Sequence, residues 1–368
     1  MAKGLPLTGE FNNFQNILHN LWWKIDRALD KEMIEASAQM AAIESIRNGV
    51  TYIFDHHSSQ SEIEGSLNMI RNVLENFELR GVLCFESTDR NGSEKAMEGL
   101  EENQKFYDYH FSDDFKAMLG LHASFTLSDD TLNEAQQMME NDWGIHIHVA
   151  EDQSDIKLSV EYADSTPISR LDEYELMNEK SILVHGVHLK KEDYLKIIEA
   201  GSALAFCPDS NLNNSVGLPQ FAKIPKGIPI LVGTDGMHAN VARSLKQIFL
   251  LCRNQGMSFD DSTTFLKKIF FDQIAFVKKY FPDYPNLLEH DRADFIIWDY
   301  IPPTPLIKDN FWGHFIYGMS ESNIYSVIQN GELLMSDFKI KNTDEEKIRN
   351  QVFIQGERLY KSSYDKKE

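Results

Sequence analysis

The stretch GIHIHVAE, residues 144–151, places two histidines two residues apart inside a short apolar run. In an extended strand side chains alternate between faces, so His146 and His148 share one face. Glu151 follows His148 by three residues, past the end of the run, so a strand residue and a loop residue can reach one cavity. Continuously apolar strands of this kind belong to parallel sheets buried on both sides. The segment therefore bears on the architecture as well as on the chemistry.

Runs of the same type recur on either side of it. They are VTYIFDHH (50–57), RGVLCFES (80–87), AMLGLHASF (117–125), SILVHGVHL (181–189), SALAFCP (202–208) and IPILVGTDG (228–236). Helical or short connecting sequence separates them, as in DKEMIEASAQMAAIESIRNG (30–49) and ARSLKQIFLLCRNQG (242–256). Seven strands alternating with helices predict an α/β fold with a parallel sheet. Ionisable residues recur at their C-terminal ends: Asp55, Glu86, His122, Glu151, His185 and Asp235. A (β/α)8 barrel gathers such residues into one site, whereas a doubly wound sheet places its ligands at one switch point. The reading is thus a TIM barrel.

A full barrel needs eight strands. The first predicted helix has no strand before it, and MAKGLPLTGEFNNFQ (1–15) reads as a polar loop. The expectation is a barrel lacking its first strand, N-terminally truncated, with two unpaired edges prone to aggregation. Beyond residue 285, RADFIIWDYIPPTPL and NIYSVIQNGELLM are strand-like, the latter broken by Asn330-Gly331, a hairpin signal. The predicted division is an incomplete barrel over 1–285, a partial β segment over 286–340 and a C-terminal helix or tail over 341–368.

The 368 residues carry a formal net charge of −21, with acidic groups scattered, which argues against nucleic acid or an anionic membrane as partner. Cys84, Cys207 and Cys252 are too few and too far apart for a disulfide framework or a zinc ribbon. No long apolar stretch or signal-peptide core is visible, and the expected location is the cytoplasm.

His148, His185 and Asp235 on successive strand ends suit Zn2+, which takes nitrogen and oxygen ligands and lowers the pKa of its bound water to about 7. The strings HVAE (148–151), LVHGVHL (183–189), AFCPDSNLNNSVGLP (205–219) and LVGTDGMHAN (231–240) resemble the amidohydrolase superfamily. The branch is that of the metal-dependent aminohydrolases and deaminases. VTYIFDHHSS, with NLWWKIDRALD upstream, looks most like the SsnA-like aminohydrolases. The resemblance spans residues 10–335.

That resemblance implies one divalent ion, Zn2+ with Fe2+ as the alternative, held by His148 and Asp235. It implies Glu151 as the proton shuttle to the leaving amine, His185 as the group that polarises substrate or orients water, and Asp235 also as general base. His122, Glu86 and His57 are the expected substrate contacts. The pattern departs at one point: the family's first two ligands form a His-x-His on strand one. His146 and His148 lie four strands later, so His146 is read as a packed strand residue. Use of His56 or His57 as replacement ligands would need a rearranged site. His188 is expected at the surface or behind the site, and His238 near the pocket. Asp209, Ser210 and Asn211 are expected to buttress it, and Trp22 and Trp23 to cover it or to pack.

The function expected is hydrolysis of non-peptide C–N bonds in a small molecule, with weak metal binding and impaired turnover because the His-x-His is absent. A non-catalytic remnant or accessory subunit is the second reading, and a binding module that uses the pocket without hydrolysis the third. A homodimer is compatible with the resemblance.

Overall fold

Apolar runs too short for helices and bounded by turn residues form parallel strands, and the helices between them cover the sheet. The structure, a computed structural model, describes residues 2–6, 9–109, 113–139, 143–286 and 292–364. The ends of the expected helices at 110 and at 140–142, and the tail at 365–368, lie outside the described residues. The chain is a mixed α/β protein. Its strands are β1 (Tyr52–His57), β2 (Arg80–Phe85), β3 (Phe115–Ala117), β4 (Leu119–Ala123), β5 (Ile145–Val149), β6 (Ile182–His185), β7 (Ala203–Phe206) and β8 (Ile230–Val232). All their pairings are parallel and follow chain order.

The expected run 117–125 is divided at Met118. β3 pairs with β2 and β4 with β5, so one segment hands over from one neighbour to the next. Ser87 keeps the line continuous, donating to Gly120 O and accepting from the His122 amide at 3.0 Å each. Gly120 is required there, since a Cβ would lie 2.2 Å from Phe85 O. Two sheets thus make one run of seven strand positions.

Side-chain parity along the strands is clean. Tyr52, Phe54, Val82, Cys84, Val184, Ala205 and Leu231 share an inner cluster, whereas Leu83, Ile147, Val149, Leu183 and Leu204 turn out toward the helices. The inner cluster is closed by Phe276, Val277 and Tyr280 of the helix Phe259–Tyr280, and by Phe281. This helix also serves the free side of β8. The amides of Ile230 and Val232 donate to Asp272 Oδ2 (2.8 Å) and Gln273 Oε1 (3.2 Å), and Lys268 Nζ donates to Ile228 O (2.8 Å). Phe54 of β1 packs on Phe276 and Tyr280 of the same helix. Among the described residues no strand pairs with the free edges of β8 and β1. The two edges thus lack strand partners there, as expected, but on β8 side-chain acceptors satisfy two of the amides.

The polar loop expected over 1–15 is non-helical among its described residues as far as Asn13, and the chain turns helical from Phe14. Residues from Phe14 to Ala28 are helical, with a π-type turn at Leu18–Trp22. Phe14, Leu18 and Trp23 bury against Val187 and Val216 above the C-terminal ends of the strands. Short amphipathic turns like these draw their stability from the surface they cover rather than from propensity.

Toward the C-terminus, β9 (Phe295–Trp298), β10 (Ile324–Gln329), β11 (Glu332–Ser336) and β12 (Lys339–Ile340) form an antiparallel sheet in the order β12-β11-β10-β9. The β10–β11 turn has φ of 52° at Asn330 and 79° at Gly331, the conformation its Asn-Gly pair favours. Val327 and Met335 pack against Ala42 and Ile46 of the helix Lys31–Arg47. The last helix, Glu345–Tyr364, is tied to that helix by Arg47 and Glu345 at 2.7 Å. No helix among the described residues is long and apolar enough to cross a membrane.

Candidate active site

Inner-face parity carries β1 to His56, β2 to Glu86, β4 to His122 and β5 to His148. These groups meet in a cavity of about 250 Å3, roofed by Phe14, Leu18, Trp22 and Trp23. Glu151, His185 and Asp235 complete its wall, so of the residues expected from the sequence Asp55 and His57, both on β1, do not line it. His57 takes the outer face, where Nε2 pairs with Ser59 Oγ at 2.8 Å and the ring packs on Phe85. Its neighbour His56 holds the inward position.

Two wall residues reach the cavity through strained backbone. Val184 points inward, so parity would send His185 outward; its φ of 74° turns it back. Asp235 (φ 49°) and Ala150 (φ 47°), beside Glu151, are also left-handed. Such conformations cost energy in non-glycine residues and cluster where a fixed side-chain direction is needed.

Hydrogen bonds set the imidazoles. His56 Nε2 donates to Leu121 O (3.0 Å) and His146 O (3.1 Å), which leaves Nδ1 bare. His148 Nδ1 donates to His122 O at 2.9 Å, which leaves Nε2 bare. Thr126 Oγ1 donates to Ala123 O and so accepts from His122 Nδ1 at 2.7 Å. His185 Nδ1 donates to Asn211 Oδ1 at 2.8 Å. Burial lowers the pKa of His56, to about 4, and of His122 and His185. Neutral rings with one nitrogen anchored and the other bare are the form that binds a metal ion.

The carboxylates divide into three environments. Burial acts to raise Glu86, but the Arg90 guanidinium at 2.6 Å and the neighbouring imidazoles overcome it and hold the group below the usual range. Asp26, on the same arginine at 2.7 Å, is pushed up to about 7 by burial and by Glu86. Burial raises Glu151 to about 8, so it carries a proton at neutral pH; its oxygens face His185 Nε2 at 3.4 Å and Asn214 Nδ2 at 3.3 Å. Asp235 is exposed between this cavity and an adjoining groove of about 850 Å3. Its carboxyl lies below the usual range: desolvation among the cavity walls acts to raise it, but His185, Ser210 and the Gly236 amide outweigh that.

His146, inner-facing one step below His148, packs 4.8 Å from the His56 ring, and its Nδ1 has no protein partner. His188 bonds to Gln153 and Val216 O, away from the cavity. His238 lines the groove and pairs with Asp209 at 3.2 Å, while Asn211 and Ser210 brace His185 and Asp235. Asp26, Arg90 and Asn214 carry no mark in the sequence, which leaves His56 and His57 both able to contact substrate. Tyr52 and Phe54 face inward in the fold, so His56 does too.

Among the described residues, His56, Glu86 and His148 are the one trio of side chains whose ligand atoms all lie within 4.8 Å of one another. The donor set, two nitrogens and a carboxylate, fits a divalent ion such as zinc.

Comparison with known proteins agrees with the fold and the strand-end motifs. The model of the amidohydrolase family matches residues 7–265. A 5-methylthioadenosine/S-adenosylhomocysteine deaminase of Pyrococcus abyssi is 26% identical over 337 residues, covering 89% of this chain and 77% of the relative. A 5'-deoxyadenosine deaminase of Methanopyrus kandleri is 25% identical over 339 residues, covering 89% of this chain and 76% of the relative. An adenosine deaminase structure from Xanthomonas campestris with bound zinc superposes with a TM-score of 0.81 at 17% identity, over 94% of this chain and 80% of that one. Guanine deaminase from E. coli gives 0.75 at 18% identity, over 92% and 82%. The two structural likenesses speak to the fold, which is of the TIM-barrel type. The chain belongs to the amidohydrolase family, on the branch of hydrolases that act on carbon–nitrogen bonds other than peptide bonds.

Proposed function

We propose that the chain is a metal-dependent aminohydrolase that removes an amino group from a small heterocycle. One observation carries this reading: His122, His148, Glu151, His185 and Asp235 line one roofed cavity at the strand ends. The relatives named as adenosine-type deaminases support the choice of an amino-substituted ring as substrate. His148 and Asp235 are the ligands implied by the resemblance. A divalent ion there supplies an activated water.

The side chains have the properties their roles need. Glu151 carries the proton that a departing amine requires, and His185 Nε2 faces it. Asp235, ionised and open to solvent, is the proton acceptor. His122 and Glu86 face substrate; His57, on the outer face of β1, does not. The partition into a barrel unit (1–285), a β segment (286–340) and a terminal helix or tail (341–368) goes with this reading.

Ammonia release from adenosine, 5'-methylthioadenosine and guanine, with and without added Zn2+ or Fe2+, tests it. Metal-dependent release that stops with chelator is the expected result. Saturable ligand binding that ignores chelator, with no ammonia from any substrate, would sink it in favour of a binding module.

A further inference from the structure

We propose that a divalent transition-metal ion binds this chain on His56 Nδ1, Glu86 Oε2 and His148 Nε2, at the ends of β1, β2 and β5, with Asp235 dispensable for its binding. The inference shares His148 and the cavity with the reading above, but it concerns binding alone and holds whether or not the chain turns substrate over.

The first argument is direction. His56 is anchored by backbone carbonyls through Nε2, the nitrogen that does not face Glu86, and His148 through Nδ1, which leaves its Nε2 bare. An N–H to carbonyl anchor of this kind fixes ring orientation and tautomer in metal-ligating histidines. The bare His56 Nδ1 lies 3.7 Å from Glu86 Oε2, close to the roughly 3.4 Å that separates donors around a tetrahedral ion.

The second argument concerns the carboxylate. Glu86 Oε1 is taken by Arg90 at 2.6 Å and Ser58 at 3.2 Å, so one oxygen is held in place while Oε2 stays available to a ligand. Arg90 brings a positive charge that opposes a cation, and its partnership with Asp26 moderates that charge. The third argument is burial: Glu86 is 6% exposed and the His56 side chain 11%, so an ion there would be shielded from competing water. Asp235, by contrast, is exposed, and no trio containing it meets the ligand spacing among the described residues.

The sequence pattern fits this placement. The doubled histidine of FDHH gives β1 an inward-facing ligand whichever way the strand is phased. The structure phases it to His56, which supplies the inward donor.

The test uses the whole chain stripped by chelator and titrated with Co2+ as the spectroscopic probe, then with Zn2+ in competition, with no substrate present. One equivalent of Co2+ should bind with visible ligand-field bands that Zn2+ abolishes. Glu86→Gln and His56→Asn should each weaken binding about tenfold or more, and Asp235→Asn less than about threefold. Glu86→Asp, which keeps the charge beside Arg90 but shortens its reach, should also weaken it. In the unsubstituted protein, imidazole 15N shifts on adding Zn2+ should move at His56 Nδ1 and His148 Nε2, so the result does not depend on a variant folding. Absence of saturable binding overturns the proposal. So does loss of binding in Asp235→Asn with Glu86→Gln unaffected, or zinc-induced shifts confined to His148 and His185.

Discussion

The two sides of the cavity are built differently. On the β1–β2–β5 side, each functional group is buried and anchored: His56 and His148 by backbone carbonyls, Glu86 by Arg90 and Ser58. On the β8 side, Asp235 sits at an exposed, left-handed residue where the cavity meets the groove, and the strand is edged by helix side chains. Orientation fixed by burial and hydrogen bonds is what a ligand site needs. The half of the site that sequence resemblance marks for catalysis and the half that geometry marks for metal binding therefore overlap only at His148.

The largest effect that could break this comparison lies between the two sides, at Glu151. Glu151→Gln keeps shape and burial but removes the transferable proton. Ammonia release should fall by about 10²–10⁴-fold, with KM nearly unchanged. Equal loss in kcat/KM through KM alone would make Glu151 a binding group instead. On the anchored side, Arg90→Ala leaves Glu86 and Asp26 facing each other without their cation. Removing one member of a buried ionic group costs about 3–5 kcal/mol, read from urea unfolding. A cost below about 1 kcal/mol would mean the anchored side is no more tightly built than the open one.

How legible these two sides were in the sequence differs for physical reasons. The seven strand positions and six of the strand-end groups could be read because apolar runs and turn residues are local signals. His56 could not be separated from His57, because Tyr52, Ile53 and Phe54 are all apolar and half-buried, so the strand shows no alternation. The split at Met118 is a change of partner inside one apolar run, invisible to periodicity. Asp272 and Gln273 sit among Phe270, Phe271 and Phe276 in a helix whose pattern gives no hint that two polar residues meet a strand edge. Arg90 was passed over because its role appears only when Asp26, sixty-four residues earlier, closes over it.

Asp155 sharpens the comparison through pH. It is buried beneath the β5 turn and near Glu151, and burial pushes its carboxyl up to about 7. Below about pH 4 both folded and unfolded chains hold this proton. Between about pH 4 and 7 the unfolded chain releases it while the folded chain keeps it, so its contribution to stability falls as pH rises and levels off above 7. Asp155→Asn removes that loss. Its unfolding free energy should gain on the parent by about 2–4 kcal/mol between pH 4 and pH 7. Unfolding curves that stay parallel across that range would place the charge elsewhere.

The smallest effect is expected on the open side, at Gln273. Its Oε1 accepts the Val232 amide on the free edge of β8, whereas on the anchored side Asn103 Oδ1 accepts the Phe85 amide at 2.8 Å and its Nδ2 donates to Phe85 O at 2.9 Å. Gln273→Leu fills similar volume but leaves the Val232 N–H without that acceptor, which costs about 1–2 kcal/mol. Asn103→Leu strips both an acceptor and a donor from a fully buried strand, and should cost more. Amide exchange at Val232 separates the explanations. If it speeds up in Gln273→Leu while Phe85 is unchanged, the helix is acting as the edge partner of β8. If Val232 exchanges at the parent rate, water already reaches that edge and the helix serves only to fill the interior.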